Sequence, residues 1–459
     1  MGDHWLIGMN AQLEAALREI VEAEMERWGV PGVVIGLLRG GKSEAVAFGV
    51  ASVESGYPML PDSAFRIASV TKPIVATLVA TLIQEGRINP DGPLADYLPD
   101  LKLPESGEAG ITVRHLLTHT SGLDTELPVN LTSFGNGDDA ASRLAASRPP
   151  VMQWARPGRV FSYSNFGYWL LGAIVGQCTS STFESAMRQR LLRPLGLNRT
   201  FLFAGEAITQ PIAVGHRPGG PSSHVHSVVR NCYAPARVRV ASGGLIATAA
   251  DLLTFASLYL GSSTSHLLNE EHLEYLVQRA AAPGWGGHYG WGWCLEERGG
   301  ELVIKHDGGA AGFATTLQIV PARDFALVVL TNSSRFVAMS RIADWAMGQF
   351  AGLNRTPPQA VPADPEVLGM LAGHYRSCTS SIQAEPRGDG LQLELTDLDP
   401  LTGEAEGFTS GFAEPIGDHG YCFRDGELEG MLFDFVDLED GASRGPSHIR
   451  IASLAQRSM

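Results

Sequence analysis

Strand-like segments lie near both ends of the first 350 residues, and this separation is what most constrains the fold. Two of them, GVVIGLL (32–38) and EAVAFGVA (44–51), are joined by the turn residues RGGKS. The others come much later in the chain, at 289–296, 301–306, 314–321 and 325–332. We predict one antiparallel sheet, to which distant segments of the chain contribute strands.

Helical patterns flank and separate these strands. They occur at residues 10–28, at 340–352, and through most of the region that ends near residue 260. The fold class predicted for residues 1–352 is therefore α+β: an antiparallel sheet flanked by terminal helices, with a mostly helical insertion.

A change in composition marks a second domain. The Pro-rich stretch 353–365 (LNRTPPQAVPADP) is typical of a linker. Residues 361–459 contain no lysine, six arginines and 18 acidic residues, so they carry −12 of the formal net charge of −15. Short segments such as GLQLEL and MLFDFVDL, separated by Gly and Asp turns, predict a small acidic all-β domain over 366–459, a barrel or a sandwich.

The charge and the apolar pattern exclude several classes of partner. A net charge of −15 argues against nucleic acid and anionic membranes. No apolar run reaches the ~18 residues that a membrane span needs. The N-terminal stretch lacks a basic region followed by an apolar core, so we predict no signal peptide and a cytoplasmic location. The five cysteines are scattered without a CxxC pair, which fits free thiols in a reducing compartment.

The stretch RIASVTKP places Ser69 and Lys72 one helical turn apart. Serine is favoured at an N-cap, so we predict that Ser69 occupies the N-cap of the following helix. A capping serine and a solvated lysine would explain the spacing without chemistry. However, the helix that follows is apolar on nearly every side, which predicts burial. Its positive dipole end destabilises an ammonium, and lysine is rare, with four against 30 arginines. We therefore predict that Ser69 is a nucleophile activated by a neighbouring amine.

Two further motifs could complete such a site. FSYSNFGYWLLG (161–172) offers Tyr163 and Asn165 in a turn before a helix, and VIKHDGGAAGF (303–313) offers His306, Gly308 and Gly309 at the end of a strand. Glycines there let a substrate lie against the strand edge, where a backbone N–H can serve as an oxyanion donor. Each motif is weak by itself.

In this order the three motifs resemble the active-site elements of the serine β-lactamase and penicillin-binding-protein superfamily. The versions here, SVTK, YSN and HDG, together with HLLTHTSGL (115–123) and YGWGW (289–293), are similar to the class C β-lactamase-related branch. That branch includes esterases, D-amino-acid peptidases and acyltransferases. The resemblance covers roughly residues 10–350, and the tail resembles the small β-barrels that some of these hydrolases carry.

The resemblance implies roles for individual residues. Ser69 would be the nucleophile, Lys72 and Tyr163 would share its proton, and Asn165 would bind a substrate amide. The N–H groups of Ser69 and Gly309, beside Gly308, would form the oxyanion hole. True β-lactamases have a lysine at the position of His306, and a histidine is mostly neutral at pH 7, so we expect β-lactams not to be the main substrates.

Other candidate residues are weaker. His115 and His119 are four apart but have no evident third ligand, and His216, His224 and His226 lie in a loop pattern, so we predict no metal and no cofactor. Trp285, in a glycine-rich loop, could form an aromatic substrate wall, although strand packing explains the neighbouring aromatics equally well.

We therefore predict a serine enzyme that cleaves a small-molecule ester or amide through an acyl-Ser69 intermediate. If an amine or an alcohol replaces water as the acceptor, the enzyme is a transacylase. A β-lactamase, a D-aminopeptidase and a catalytically silent binding protein are further alternatives. The sequence does not indicate the oligomeric state.

Overall fold

The computed structural model describes residues 11–103, 110–218, 226–233, 235–261, 263, 265–283, 287–417, 420–438 and 446–458. The helices are α1 (Ala11–Trp28), α2 (Thr71–Gln84), α3 (Val113–Leu117), α4 (Ala140–Ala145), α5 (Asn165–Thr179), α6 (Phe183–Met187), α7 (Ala204–Ala207), α8 (Val240–Gly243), α9 (Ala249–Ala256), α10 (Glu270–Leu276), α11 (Phe336–Ala346) and α12 (Pro365–Leu371).

The strands of the first 350 residues are β1 (Gly32–Arg39), β2 (Lys42–Gly49), β3 (Phe65–Arg66), β4 (Thr200–Phe201), β5 (His216–Pro218), β6 (His226–Val228), β7 (Ile246–Ala247), β8 (His288–Tyr289), β9 (Cys294–Arg298), β10 (Glu301–Ala310), β11 (Phe313–Val320) and β12 (Phe325–Thr331). Those that follow are β13 (Gly373–Arg376), β14 (Ser380–Arg387), β15 (Gly390–Leu398), β16 (Ala405–Pro415), β17 (Gly420–Phe423), β18 (Leu432–Val436), β19 (His448–Ile451) and β20 (Ser453–Arg457).

The chain forms two compact units, each assembled from separate segments. The first contains the described residues of Met1–Glu85, Ser181–Gln278 and Gly292–Arg355. The second contains those of Gly86–Ser180, Arg279–Trp291 and Thr356–Met459. The domain boundaries at residues 352 and 366 remain predictions.

An antiparallel sheet forms the centre of the first unit, with strands in the order β2-β1-β12-β11-β10-β9. The central strands are buried along nearly their whole length, which explains their continuous apolar sequences. Leu17 of α1 and Ile342 of α11 belong to the core on one face of the sheet. On the other face, α9 packs against β1 at Gly36, where an added Cβ would lie 3.1 Å from the Leu253 side chain. The predicted sheet with terminal helices is confirmed.

One predicted strand is wrong. Residues 289–296 do not form a continuous strand, because the backbone turns at Gly292, which has φ +79°. A Cβ at Gly292 would lie 3.0 Å from the carbonyl oxygen of Lys72, so this glycine allows the turn to approach α2 closely.

The second unit contains the helical region around α5 and a closed barrel of eight strands, β13 to β20. Each strand pairs antiparallel with the next, and β13 pairs with β20 to close the barrel. Its core is aromatic and aliphatic, and includes Tyr375, Phe423 and Phe433. The predicted small all-β domain is thus a barrel. No helix in the described ranges has the length and apolar character needed to cross a membrane.

Candidate active site

Ser69 lies in a short 3₁₀ turn, Ala68–Val70, immediately before α2. The prediction that Ser69 caps the helix is wrong, because α2 begins at Thr71 and its N-cap position is Val70. The residue before the serine, Ala68, has φ +47°, a conformation that costs energy for any residue except glycine. This backbone displaces Ser69 from the capping position and leaves its side chain only half-buried.

Lys72 is fully buried in the first turn of α2. Its Nζ lies 3.2 Å from Ser69 Oγ and donates a hydrogen bond to the carbonyl oxygen of Ser242 at 2.8 Å. A neutral amine held in this way can accept the serine proton while it donates to the carbonyl. The alternative of a solvated lysine is therefore wrong.

Strand β10 lies directly beside the serine turn. A Cβ at Gly308 would lie 2.4 Å from the carbonyl oxygen of Ile67 and 3.1 Å from the Ser69 nitrogen, so only glycine permits this approach. Thr315 on the neighbouring strand donates a hydrogen bond to the same Ile67 carbonyl at 2.9 Å. Gly309, the next residue of β10, is exposed.

The pairing of β10 with β9 ends just before this point. Strand β9 pairs with β10 from Glu301 to Lys305 in the described part of the chain, whereas β11 continues to pair with β10 through Ala310. The residues after Lys305 are those that the sequence predicts to contact a substrate.

His306 is buried, and its Nδ1 lies 2.7 Å from the carbonyl oxygen of Asp307. A carbonyl only accepts, so Nδ1 carries the proton and donates. Burial lowers the pKa of His306 well below that of a free histidine, and Lys72 lowers it further when its amine is protonated. The imidazole is therefore neutral at neutral pH.

The second unit contains the YSN turn. Ser164 is the N-cap of α5, where its Oγ accepts a hydrogen bond from the Gly167 N–H at 3.1 Å and donates to the carbonyl oxygen of Asp124 at 2.8 Å. Asn165 donates from Nδ2 to Glu126 Oε1 at 3.1 Å. Tyr163, just before the cap, is half-buried.

His119 is a candidate functional residue that the sequence reasoning missed. Its ring lies 4.2 Å from that of Tyr163, between centroids, and its Nδ1 accepts a hydrogen bond from the Ser164 N–H at 3.0 Å. Its carbonyl oxygen accepts from the Ser162 N–H at 2.8 Å, and its φ is +56°. The spacing from His115 suggested a metal pair, but His115 Nδ1 accepts from the Thr112 N–H, where it helps to cap α3.

The remaining predicted residues divide into packing residues and residues outside the described ranges. Tyr289, Trp291 and Trp293 are buried, and Trp293 Nε1 donates to the hydroxyl of Tyr259 at 3.0 Å, so these aromatics serve packing. His216 donates from Nδ1 to the Asn332 carbonyl and accepts at Nε2 from the Val53 N–H. Trp285 and His224 lie outside the described residues.

The structure thus groups the predicted residues into two sets. Ser69, Lys72, His306, Gly308 and Gly309 belong to the first unit, and Tyr163 and Asn165 belong to the second. Within the described ranges, no group of His, Cys, Asp or Glu is arranged to hold a metal ion.

Comparison with known proteins identifies the family. A sequence model described as Beta-lactamase matches residues 17–351, which contain all three motifs. The chain is also 30% identical over 369 residues to penicillin-binding protein 4 of Amycolatopsis lactamdurans, a match that covers 75% of this chain and 93% of the relative. The chain belongs to the beta-lactamase family.

Two solved structures place the fold within this family. The structure of SurE superposes with a TM-score of 0.72 at 25% identity and covers 97% of this chain and 99% of SurE, so the likeness includes the barrel. The D-amino acid amidase of Ochrobactrum anthropi SV3, solved with D-phenylalanine, has a TM-score of 0.61 at 25% identity and covers 74% of this chain and 100% of the amidase. The resemblance predicted from the three motifs is confirmed, and the family is one of serine hydrolases.

Proposed function

We propose that this protein cleaves a small-molecule ester or amide through an acyl-enzyme formed on Ser69. The observation that carries the proposal is the position of Lys72 Nζ, which lies fully buried and 3.2 Å from Ser69 Oγ. A lysine kept only for its charge would lie on the surface, where its ammonium is hydrated. A buried amine beside a half-buried hydroxyl is suited to proton transfer.

The proposed reaction begins at the Ser69 hydroxyl. Its proton passes to the amine of Lys72, with Tyr163 sharing the proton, while Oγ forms a bond to the carbonyl carbon of the substrate. The N–H groups of Ser69 and Gly309 stabilise the negative oxygen of the tetrahedral intermediate. The carbon–oxygen or carbon–nitrogen bond to the leaving group then breaks, and the leaving group takes the proton. Water attacks the acyl group, releases the acid and regenerates Ser69.

His306 supports a preference for substrates without a carboxylate near the scissile bond. Because burial and Lys72 lower the pKa of His306, this position offers no permanent cation to a substrate anion. We propose that Asn165 binds an amide of the substrate. The likeness to a D-amino acid amidase supports an amino-acid amide as one substrate class to test.

The identity of the acyl acceptor decides between two reactions: water gives hydrolysis, and an amine or an alcohol gives acyl transfer. Of the aromatic residues that could line a dry acceptor site, Tyr289, Trp291 and Trp293 are buried in packing contacts, and Trp285 lies outside the described residues. We therefore rank water ahead of an amine or an alcohol as the acceptor.

The test is to expose the intact protein to a panel of esters and amides and to measure covalent acylation by mass spectrometry. The panel includes pairs that differ only by a carboxylate next to the scissile bond, and each reaction is repeated with millimolar amines and alcohols. We expect acylation of the wild type, none of Ser69→Ala, faster acylation by the neutral member of each pair, and product release that added acceptors do not change.

Each contrary result has a defined meaning. A wild type that no substrate acylates and no fluorophosphonate phosphonylates would be a silent binding protein. Equal acylation of Ser69→Ala would reject the nucleophile. Slow release in water with fast release to an amine would make the enzyme a transacylase.

A further inference from the structure

The tip of one barrel hairpin contacts the YSN turn. The hairpin joins β19 to β20 with Ala452 alone between the paired residues Ile451 and Ser453. The carbonyl oxygen of Ala452 accepts a hydrogen bond from the Tyr163 N–H at 3.2 Å. Ala452 has φ +63°, so the hairpin reverses direction through a conformation that a non-glycine residue rarely adopts.

Two further bonds from the same hairpin reach the residues just before Tyr163. Arg450 Nη1 donates to the carbonyl oxygen of Phe161 at 3.2 Å, and the Leu454 N–H donates to Ser162 Oγ at 3.4 Å. Three consecutive residues, 161 to 163, thus each bond to an alternate residue of the hairpin, 450, 452 or 454. Two of these bonds hold backbone atoms of the segment, at Phe161 and Tyr163, and one holds the Ser162 side chain.

The arginine is itself held in place by a buried carboxylate on the neighbouring strand. Arg450 and Asp434 face each other on β19 and β18, and both are buried. Arg450 Nε donates to Asp434 Oδ1 at 2.7 Å, and Nη2 donates to the second carboxylate oxygen. A bidentate pair of this kind orients the guanidinium, so that Nη1 points to the Phe161 carbonyl.

A second barrel turn reaches the partner of Asn165. Cys378, between β13 and β14, donates from Sγ to the carbonyl oxygen of Glu126 at 3.7 Å. The carboxylate of Glu126 is the group that accepts from Asn165 Nδ2. The barrel therefore contacts the support of both functional side chains of the YSN motif.

We infer that the barrel is part of the catalytic apparatus, with the β19–β20 hairpin as a positioning element for Tyr163. His119 supports the YSN turn through its ring and its backbone, and the hairpin supports it through residues 450, 452 and 454. Since a displacement of about 1 Å in a reacting group can cost on the order of 10²-fold in rate, the hairpin would control the rate without touching the substrate. This inference rests on the proposed function, because it assigns a proton-transfer role to Tyr163.

The test changes the length of the hairpin and leaves the rest of the barrel intact. One glycine is inserted after Ala452, which displaces the carbonyl that Tyr163 uses. The matched control is a glycine inserted after Gly388, an exposed turn between β14 and β15 of the same barrel with nothing within 4 Å of an added Cβ. We expect the first insertion to lower kcat about tenfold with KM changed less than threefold, and the control to keep the wild-type kcat.

A second comparison shows whether the effect acts through Tyr163. In a Tyr163→Phe background, the Ala452 insertion should cause no further loss of kcat, because the group that it positions is gone. Additive losses in the double variant, or an equal loss of kcat in the Gly388 control, would overturn the inference. If the insertion unfolds the barrel, Ser162→Ala removes the acceptor of the Leu454 N–H without changing the hairpin, and a wild-type kcat in that variant would equally overturn it.

The inference and the proposed function fail in different ways. A wild type that is never acylated rejects the proposed function. A wild type that is acylated, with an Ala452 insertion acylated at the same rate, rejects only the role of the hairpin.

Discussion

The two units each place a serine just before a buried apolar helix, and they use these serines differently. Ser164 in the second unit caps α5, with its hydroxyl bound to the Gly167 N–H and the Asp124 carbonyl. Ser69 in the first unit lies before α2 and caps nothing, and its hydroxyl contacts Lys72 Nζ. One hydroxyl is fully engaged in structure, and the other is available for chemistry.

The backbone before each serine explains this difference. Ser164 has extended φ and ψ of −129° and 112°, which are typical of an N-cap. Ser69 instead follows the left-handed Ala68 and lies within the 3₁₀ turn, so that Val70 occupies the cap position. The first unit therefore lacks a stabilising serine cap and contains a strained residue, Ala68. Both unfavourable features lie at the proposed nucleophile.

Among the substitutions that leave Ser69 in place, we expect Lys72→Arg to cause the largest loss of kcat. Guanidinium stays protonated and cannot accept the Ser69 proton, so kcat should fall by about 10²-fold or more, nearly as far as in Lys72→Ala. The measurement is the rate of acylation by an activated ester. Lys42→Arg, at an exposed position of β2, is the matched control. Substantial activity in Lys72→Arg would reduce Lys72 to a fixed charge.

The arrangement of the first unit could be predicted from sequence to a large extent. The SVTK and HDG motifs bring together residue types that suit nucleophilic catalysis, and the apolar helix after Ser69 indicates burial. The left-handed conformation of Ala68 could not be predicted, because alanine gives no sign of positive φ. It was this residue that made the predicted N-cap wrong.

The contacts that hold the YSN turn in the second unit could be predicted much less well from the sequence. The YSN motif is visible, but the bond from Tyr163 to Ala452 and the bond from Arg450 to the nearby Phe161 each join positions 289 apart. Two of the three contacts use backbone atoms of the hairpin, and a backbone N–H or carbonyl leaves no mark in the sequence. In the sequence His119 was visible as half of a metal pair and as part of HLLTHTSGL, but its real partners, the Tyr163 ring and the Ser164 N–H, are specified by the fold.

A smaller effect is expected from Gly308→Ala, which tests the approach of β10 to the serine turn. The new Cβ would meet the Ile67 carbonyl at 2.4 Å, so the strand or the turn must move by several tenths of an ångström. Because the oxyanion donors lie on these two segments, we expect kcat/KM to fall by about 10-fold to 10²-fold. Gly205→Ala, in α7 with nothing within 4 Å, controls for the loss of a glycine. Wild-type kcat/KM in Gly308→Ala would mean that this approach does not position the site.

The smallest effect on activity is expected from Ser164→Ala, and the sharpest form of the comparison sets this variant beside Ser69→Ala. Ser164→Ala removes the cap of α5, which costs about 1 kcal/mol, and leaves the buried Asp124 carbonyl without its donor, at a similar cost. We expect the free energy of unfolding to fall by about 2 kcal/mol, with only a few-fold loss of kcat in the protein that remains folded.

Ser69→Ala should show the reverse, with no acylation and a free energy of unfolding within about 0.5 kcal/mol of the wild type, because its hydroxyl supports no helix. Urea titrations of the two variants, followed by circular dichroism, measure their free energies of unfolding under one condition. Equal losses of stability would show that the Ser69 hydroxyl also holds the fold together, and the distinction between a structural and a reactive serine would then be wrong.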